Sequence, residues 1–79
     1  MIPRNIQREH IFAAMHEIDR EGVPDLNLPT KYWVVHEGRQ YPPKHVVALA
    51  NRFANGEELD RSSFGGGAET NTFLQSFGF

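Results

Sequence analysis

No cysteine occurs in these 79 residues. That excludes a disulfide framework and a thiolate metal site, and it makes a reducing cytoplasm the expected compartment. No apolar run approaches the ~18 residues of a membrane span, and Met1-Ile2-Pro3-Arg4 lacks the apolar stretch of a secretory signal. A soluble, cytoplasmic chain with no membrane partner is expected. Repeats and low-complexity tracts are missing too. The length leaves room for one domain over residues 1–79, because a chain this short buries only roughly 60% of its unfolded surface. Nine aromatics, six of them Phe, must supply much of its core. Neither charge sign dominates: eight Lys and Arg face ten Asp and Glu, a net charge of −2. Taken whole, that is no signature of nucleic-acid binding.

The distribution of charge says more. Between Thr30 and Gly56 four cations (Lys31, Arg39, Lys44, Arg52) face one acid, Glu37, so this stretch carries +3 and the remainder −5. Tyr32, Trp33 and Tyr41 stand among the cations, as they do on phosphate-binding surfaces, although uneven charge also marks ordinary solvated faces.

Ile11, Met15 and Ile18 recur at helical spacing with Phe12 widening the stripe, which predicts a helix over about 6–21, opened by Asn5 and stopped by Gly22. Val23 to Thr30 carries two prolines and reads as a connection with Leu26 and Leu28 tucked inward. Lys31 to Tyr41 reads as a β-hairpin turning at Glu37-Gly38. Counting outward from the turn pairs His36 with Arg39, Val35 with Gln40 and Val34 with Tyr41. Tyr32, Val34 and Tyr41 then share one face, and Trp33 and Val35 the other. Pro42-Pro43 opens a second helix over about 43–55, with Val46, Leu49, Ala50 and Phe53 inward and Asn55-Gly56 as its stop. After a polar loop and Phe64, Gly65-Gly66-Gly67 leads into a third helix over about 68–77, capped by Gly78. The expected class is α+β: helix, β-hairpin, helix, helix. Ile11, Met15, Ile18, Val46, Leu49, Phe53, Phe73, Leu74 and Phe77 are the expected core, and Trp33 is read as core before base-stacking platform.

Catalytic chemistry finds little support. His10 and His16 fall on different helical faces without an HExxH arrangement, so cap or solvent roles are expected and no metal. Ser62, Ser63 and Ser76 lack a nucleophile-elbow context, and Glu57, Glu58 and Asp60 lie in a polar loop. The chain is therefore expected not to be an enzyme and to need no cofactor. The triple glycine entering a helix could cradle an anion or could be a plain turn; it lacks the Lys-Ser/Thr of a P-loop. Lys44 and His45 open the second helix, where a cation opposes the helix dipole unless an anion shares the site.

The string YWVVHEGRQYPPKHVVALA, followed by FGGGAETNTFLQSFGF, resembles the N-terminal head domain of ScoMcrA-type modification-dependent (type IV) restriction endonucleases. His36, Gly38, Arg39, Tyr41, Lys44, Phe64, Gly66 and Phe79 match the pattern of that family. Pro42-Pro43 replaces the Asp-Ser that relatives often carry, and Gly65 a Ser, which removes hydroxyls that could touch phosphate. The resemblance implies a non-catalytic module of prokaryotic defence systems, fused to or working with HNH nuclease, helicase-like or modified-base-reading domains. The expected partners are double-stranded DNA, modified or not, and nuclease or helicase domains in cis or in trans. The expected DNA surface comprises Lys31, His36, Arg39, Tyr41, Lys44 and Arg52 with Gly65, Gly66 and Gly67, and it holds phosphate without reading a modification. The competing class is a docking domain that positions a nuclease or helicase.

Overall fold

The helical stripe begins where Gln7 turns from extended into helical backbone. In the computed structural model, which describes residues 2–22, 33–60, 62, 64 and 68–79, α1 spans Arg8–Glu21. Gln7 is its N-cap in place of the expected Asn5, and the Gln7 backbone N–H donates to His10 Nδ1 at 2.8 Å. His10 thus takes the cap role. Asn5 is used elsewhere: it exchanges side-chain hydrogen bonds with Asn55, whose amide also reaches Asn51 at 2.6 Å.

The hairpin consists of β1 (Val34–His36) and β2 (Arg39–Tyr41), antiparallel in the expected register. Its two turn residues both have positive φ, 52° at Glu37 and 77° at Gly38, the pattern of a type I′ turn whose twist suits the strands. α2 (Pro43–Asn55) starts on Pro43, whose fixed φ and missing N–H suit a first helical position, and it ends at Gly56 in the left-handed region. α3 (Ala68–Gln75) is two residues shorter than expected; turns over 76–78 follow it, and Gly78 has φ of 92°. The connection 23–30, Lys31, Tyr32 and Gly65 to Gly67 lie outside the described residues.

Helix α2 is the centre. Its first nine residues are buried except Lys44, which is half-buried, and α1 and α3 both pack on it. Ala14 of α1 and Ala48 and Ala50 of α2 are fully buried. Ile2, Ile6, Ile11, Met15, Ile18, Val34, Tyr41, Val46, Val47, Leu49, Phe64 and Leu74 complete the core among the described residues. Three expectations are corrected. Phe53 is 42% exposed, because Asn51 and Asn55 turn the end of α2 toward the N-terminal segment and Phe53 points away from both. Phe73 and Phe77 are only half-buried, packing on each other at the rim with centroids 5.3 Å apart. Trp33 is 41% exposed, because strand alternation sends it and Val35 to the face opposite the core.

The turn generates a prediction. Glu37 holds a backbone conformation that non-glycine residues adopt at a cost, and Asn tolerates it better. Glu37→Asn is expected to raise stability by about 0.5 kcal/mol and Gly38→Ala to lower it by about 1 kcal/mol, read as urea midpoints.

Candidate nucleic-acid interface

The register divides the hairpin side chains. Val34, His36, Arg39 and Tyr41 face α1, while Trp33, Val35 and Gln40 form the outer face. Asp19 of α1 anchors the inner face. It accepts from the Tyr41 hydroxyl at 2.9 and 3.1 Å and from the Arg39 guanidinium at 3.0 Å. Partial burial works against the Asp19 carboxylate, but the hydrogen bonds from Arg39 and Tyr41 outweigh it and hold the pKa below its ordinary 3.8. The Tyr41 phenol moves up from 10.0, first through its burial and then through the neighbouring carboxylate.

Arg52 finds a different acid. Its guanidinium lies 3.5 Å from Glu17, which also holds Arg20 at 2.7 Å, while Glu21 stands 3.7 Å from Arg20. The hydrogen bond from Arg20 is the main reason the Glu17 carboxyl stays below 4.5. Two residues along a helix are about 200° apart around its axis, so Arg39 and Arg52 meet α1 on different sides. Surface ion pairs of this kind are weakened by solvent and compete weakly with another anion. Arg39 keeps 64% of its side chain exposed, and one contact to Asp19 leaves several of its five N–H donors for a second acceptor.

Lys44, at the second position of α2, places its ammonium 4.9 Å from the Phe64 ring centroid. His45 beside it is buried. His36 packs on Phe12 and Phe79, with ring centroids 5.1 and 5.3 Å away, and those two phenyl rings meet at 5.4 Å. Arg8 lies over the same two rings, 5.2 and 5.4 Å from their centroids. Lys31 and Gly65, Gly66 and Gly67, the remaining candidates, lie outside the described residues.

Arg8, Phe12, Glu17, Asp19 and Arg20 were not candidates on sequence grounds. The spacings Arg8-Phe12 and Glu17-Arg20 fit one helical face and were visible signals. Their partners on the hairpin and on α2 come together only through packing. Among the described residues no group of three or more His, Asp or Glu could hold a metal ion, and no helix is long and apolar enough to cross a membrane. An open depression bounded by Ile2, Ala68, Glu69, Thr72 and Phe73 carries one charged group, an acid, and does not favour an anion.

Compared with known proteins, residues 4–79 match the family model described as ScoMcrA-like, N-terminal head domain. No curated protein matches. No solved structure matches either.

The two lowered carboxylates give a pH prediction. A carboxyl depressed in the folded state contributes stability that is present above its unfolded pKa and lost as pH falls through the folded one. The contribution of Glu17 and Asp19 is therefore complete above about pH 5 and fades below it. Thermal midpoints followed down from pH 6 should fall more steeply for the parent than for the double variant Glu17→Gln, Asp19→Asn. Superimposable profiles would mean that the pairs contribute nothing.

Proposed function

The chain belongs to the family of ScoMcrA-like N-terminal head domains, and from that premise we propose that it is a non-catalytic DNA-binding module of a prokaryotic restriction system. It contacts mainly the phosphate backbone. The head domain is an N-terminal module and not the nuclease part of such proteins, so its role is to hold substrate or partner while another domain does the chemistry. The observation that carries the reading is Arg39. Its exposed guanidinium stands on a hairpin docked to α1 by the Asp19–Tyr41 hydrogen bonds, an arrangement that gives a flexible side chain a defined base. Pre-organised arginine suits phosphate because its planar fork donates in parallel to two oxygens. Lys44, at the start of the following helix, adds a second positive charge next in sequence to the hairpin.

A second reading has its own observation. Val35 is 62% exposed beside the exposed Trp33 on the outer face of the hairpin, which suits docking onto a nuclease or helicase domain. Salt separates the two, because phosphate binding releases counterions and docking of an apolar face does not.

The parent should bind duplex DNA with an affinity that falls steeply between about 50 and 200 mM salt. The double variant Arg39→Ala, Lys44→Ala should bind more weakly, with a log–log salt slope smaller by about two. A salt-independent parent would favour docking instead. Reading of a modified base is not expected. Tyr41 is buried, and Trp33 is the one exposed Tyr or Trp side chain among the described residues, so a flipped base would lack a ring on one side. Duplexes with and without 5-methylcytosine should compete equally. A tenfold preference, about 1.4 kcal/mol, would overturn that expectation.

A further inference from the structure

Four of the five arginines described fall into two groups, and Arg52, in the first, also lies over the Phe53 ring, 5.1 Å from its centroid. Arg20, Arg39 and Arg52 each point the donating edge of the guanidinium at a carboxylate of α1. Arg8 has no carboxylate partner among the described residues and is held by ring faces instead, 5.2 Å from the centroid of Phe12 and 5.4 Å from that of Phe79. The difference matters chemically. A carboxylate takes up part of the N–H edge, whereas a ring attracts the cation to its π face and leaves all the in-plane donors open. The platform is itself ordered: Phe12 and Phe79 meet edge to face at 72°, and His36 packs on both. Phe12 is 37% exposed and Arg8 is exposed, so the cluster is open to a ligand.

We infer that Arg8, held over Phe12 and Phe79 with His36 on the same two rings, is a binding site for a DNA backbone phosphodiester. The site rests on the DNA-binding reading above and adds to it a contact outside the positively charged stretch 30–56. Arg8 supplies the charge and the paired donors. Phe12 and Phe79 are positioning residues: they fix the guanidinium before the ligand arrives, so less side-chain freedom is lost on binding. The nearby acids are Glu37, 4.0 Å from His36 Nε2 and 84% exposed, and Glu9, exposed and next to Arg8 in the first turn of α1; both carboxylates remain largely in water, where their repulsion of a phosphate is weak.

The experiment compares variants that remove the same charge from different settings, with a fluorescein-labelled duplex at about 100 mM salt and circular dichroism to confirm folding. Arg8→Ala should weaken binding about fivefold and lower the salt slope by about one, while Arg20→Ala, whose guanidinium Glu17 already holds, should change affinity less than about twofold. Phe12→Leu keeps the charge and the apolar bulk but removes a ring, and it should weaken binding about threefold by loss of positioning alone. Equal effects of Arg8→Ala and Arg20→Ala would reduce the site to bulk charge and overturn the inference. If Arg8→Ala binds like the parent while Arg39→Ala, Lys44→Ala does not, this site is wrong and the DNA reading stands. If the parent does not bind duplex at all, the site falls together with that reading.

Discussion

Everything else in this fold hangs on the packing of α1 against α2. In so short a chain one helix must be enclosed for any core to exist, and here it is the N-terminal two-thirds of α2. Ala14 on α1 and Ala48 and Ala50, on opposite sides of α2, are fully buried among Ile11, Met15, Val46 and Val47, small side chains where the enclosed helix meets its cover. The polar ladder Asn5–Asn55–Asn51, continued by the Asn51 amide to the Glu57 carbonyl at 2.8 Å, closes the far end where apolar side chains run out.

The hairpin depends on that helix pair. Two strands of three residues each are marginal in water. Here Val34 and Tyr41 enter the core and Asp19 receives both the Tyr41 hydroxyl and Arg39. Turn geometry orders the tip; α1 orders the body. One face is consequently occupied by the fold, and the outer face with Trp33 and Val35 stays exposed.

The same helix sorts the cations. Acids at Glu17 and Asp19 engage Arg20, Arg52 and Arg39, while Phe12, one turn of the stripe earlier, holds Arg8 from its π face. A chain of net charge −2 can thus present a locally positive surface, since its basic groups are distributed among acids that hold them and rings that leave their donors open. Membership of the ScoMcrA-like family gives the chain its context: an N-terminal head domain, not the nuclease part of such proteins.

Local chemistry was legible in the residues themselves. The turn at Glu37-Gly38 determined the register to the residue, the proline pair located the start of α2, and the 3.6-residue recurrence of Ile11, Met15 and Ile18 found the core face of α1. These are decided by neighbours in sequence, through φ preference and periodicity. What lay beyond reach depends on distant segments. Strand alternation alone left both hairpin faces open to burial, and the docking of α1 on one of them put Trp33 outside. Phe53 obeyed the helical spacing of its neighbours yet lies where α2 runs past its cover. The tie between Tyr41 and Asp19 joins positions 22 apart, and Arg8 meets a ring from the other end of the chain. Periodicity says which side of an element is apolar, but only the packed structure decides which charge faces which acid, because that pairing is set by the relative placement of elements and not by the preferences of any one.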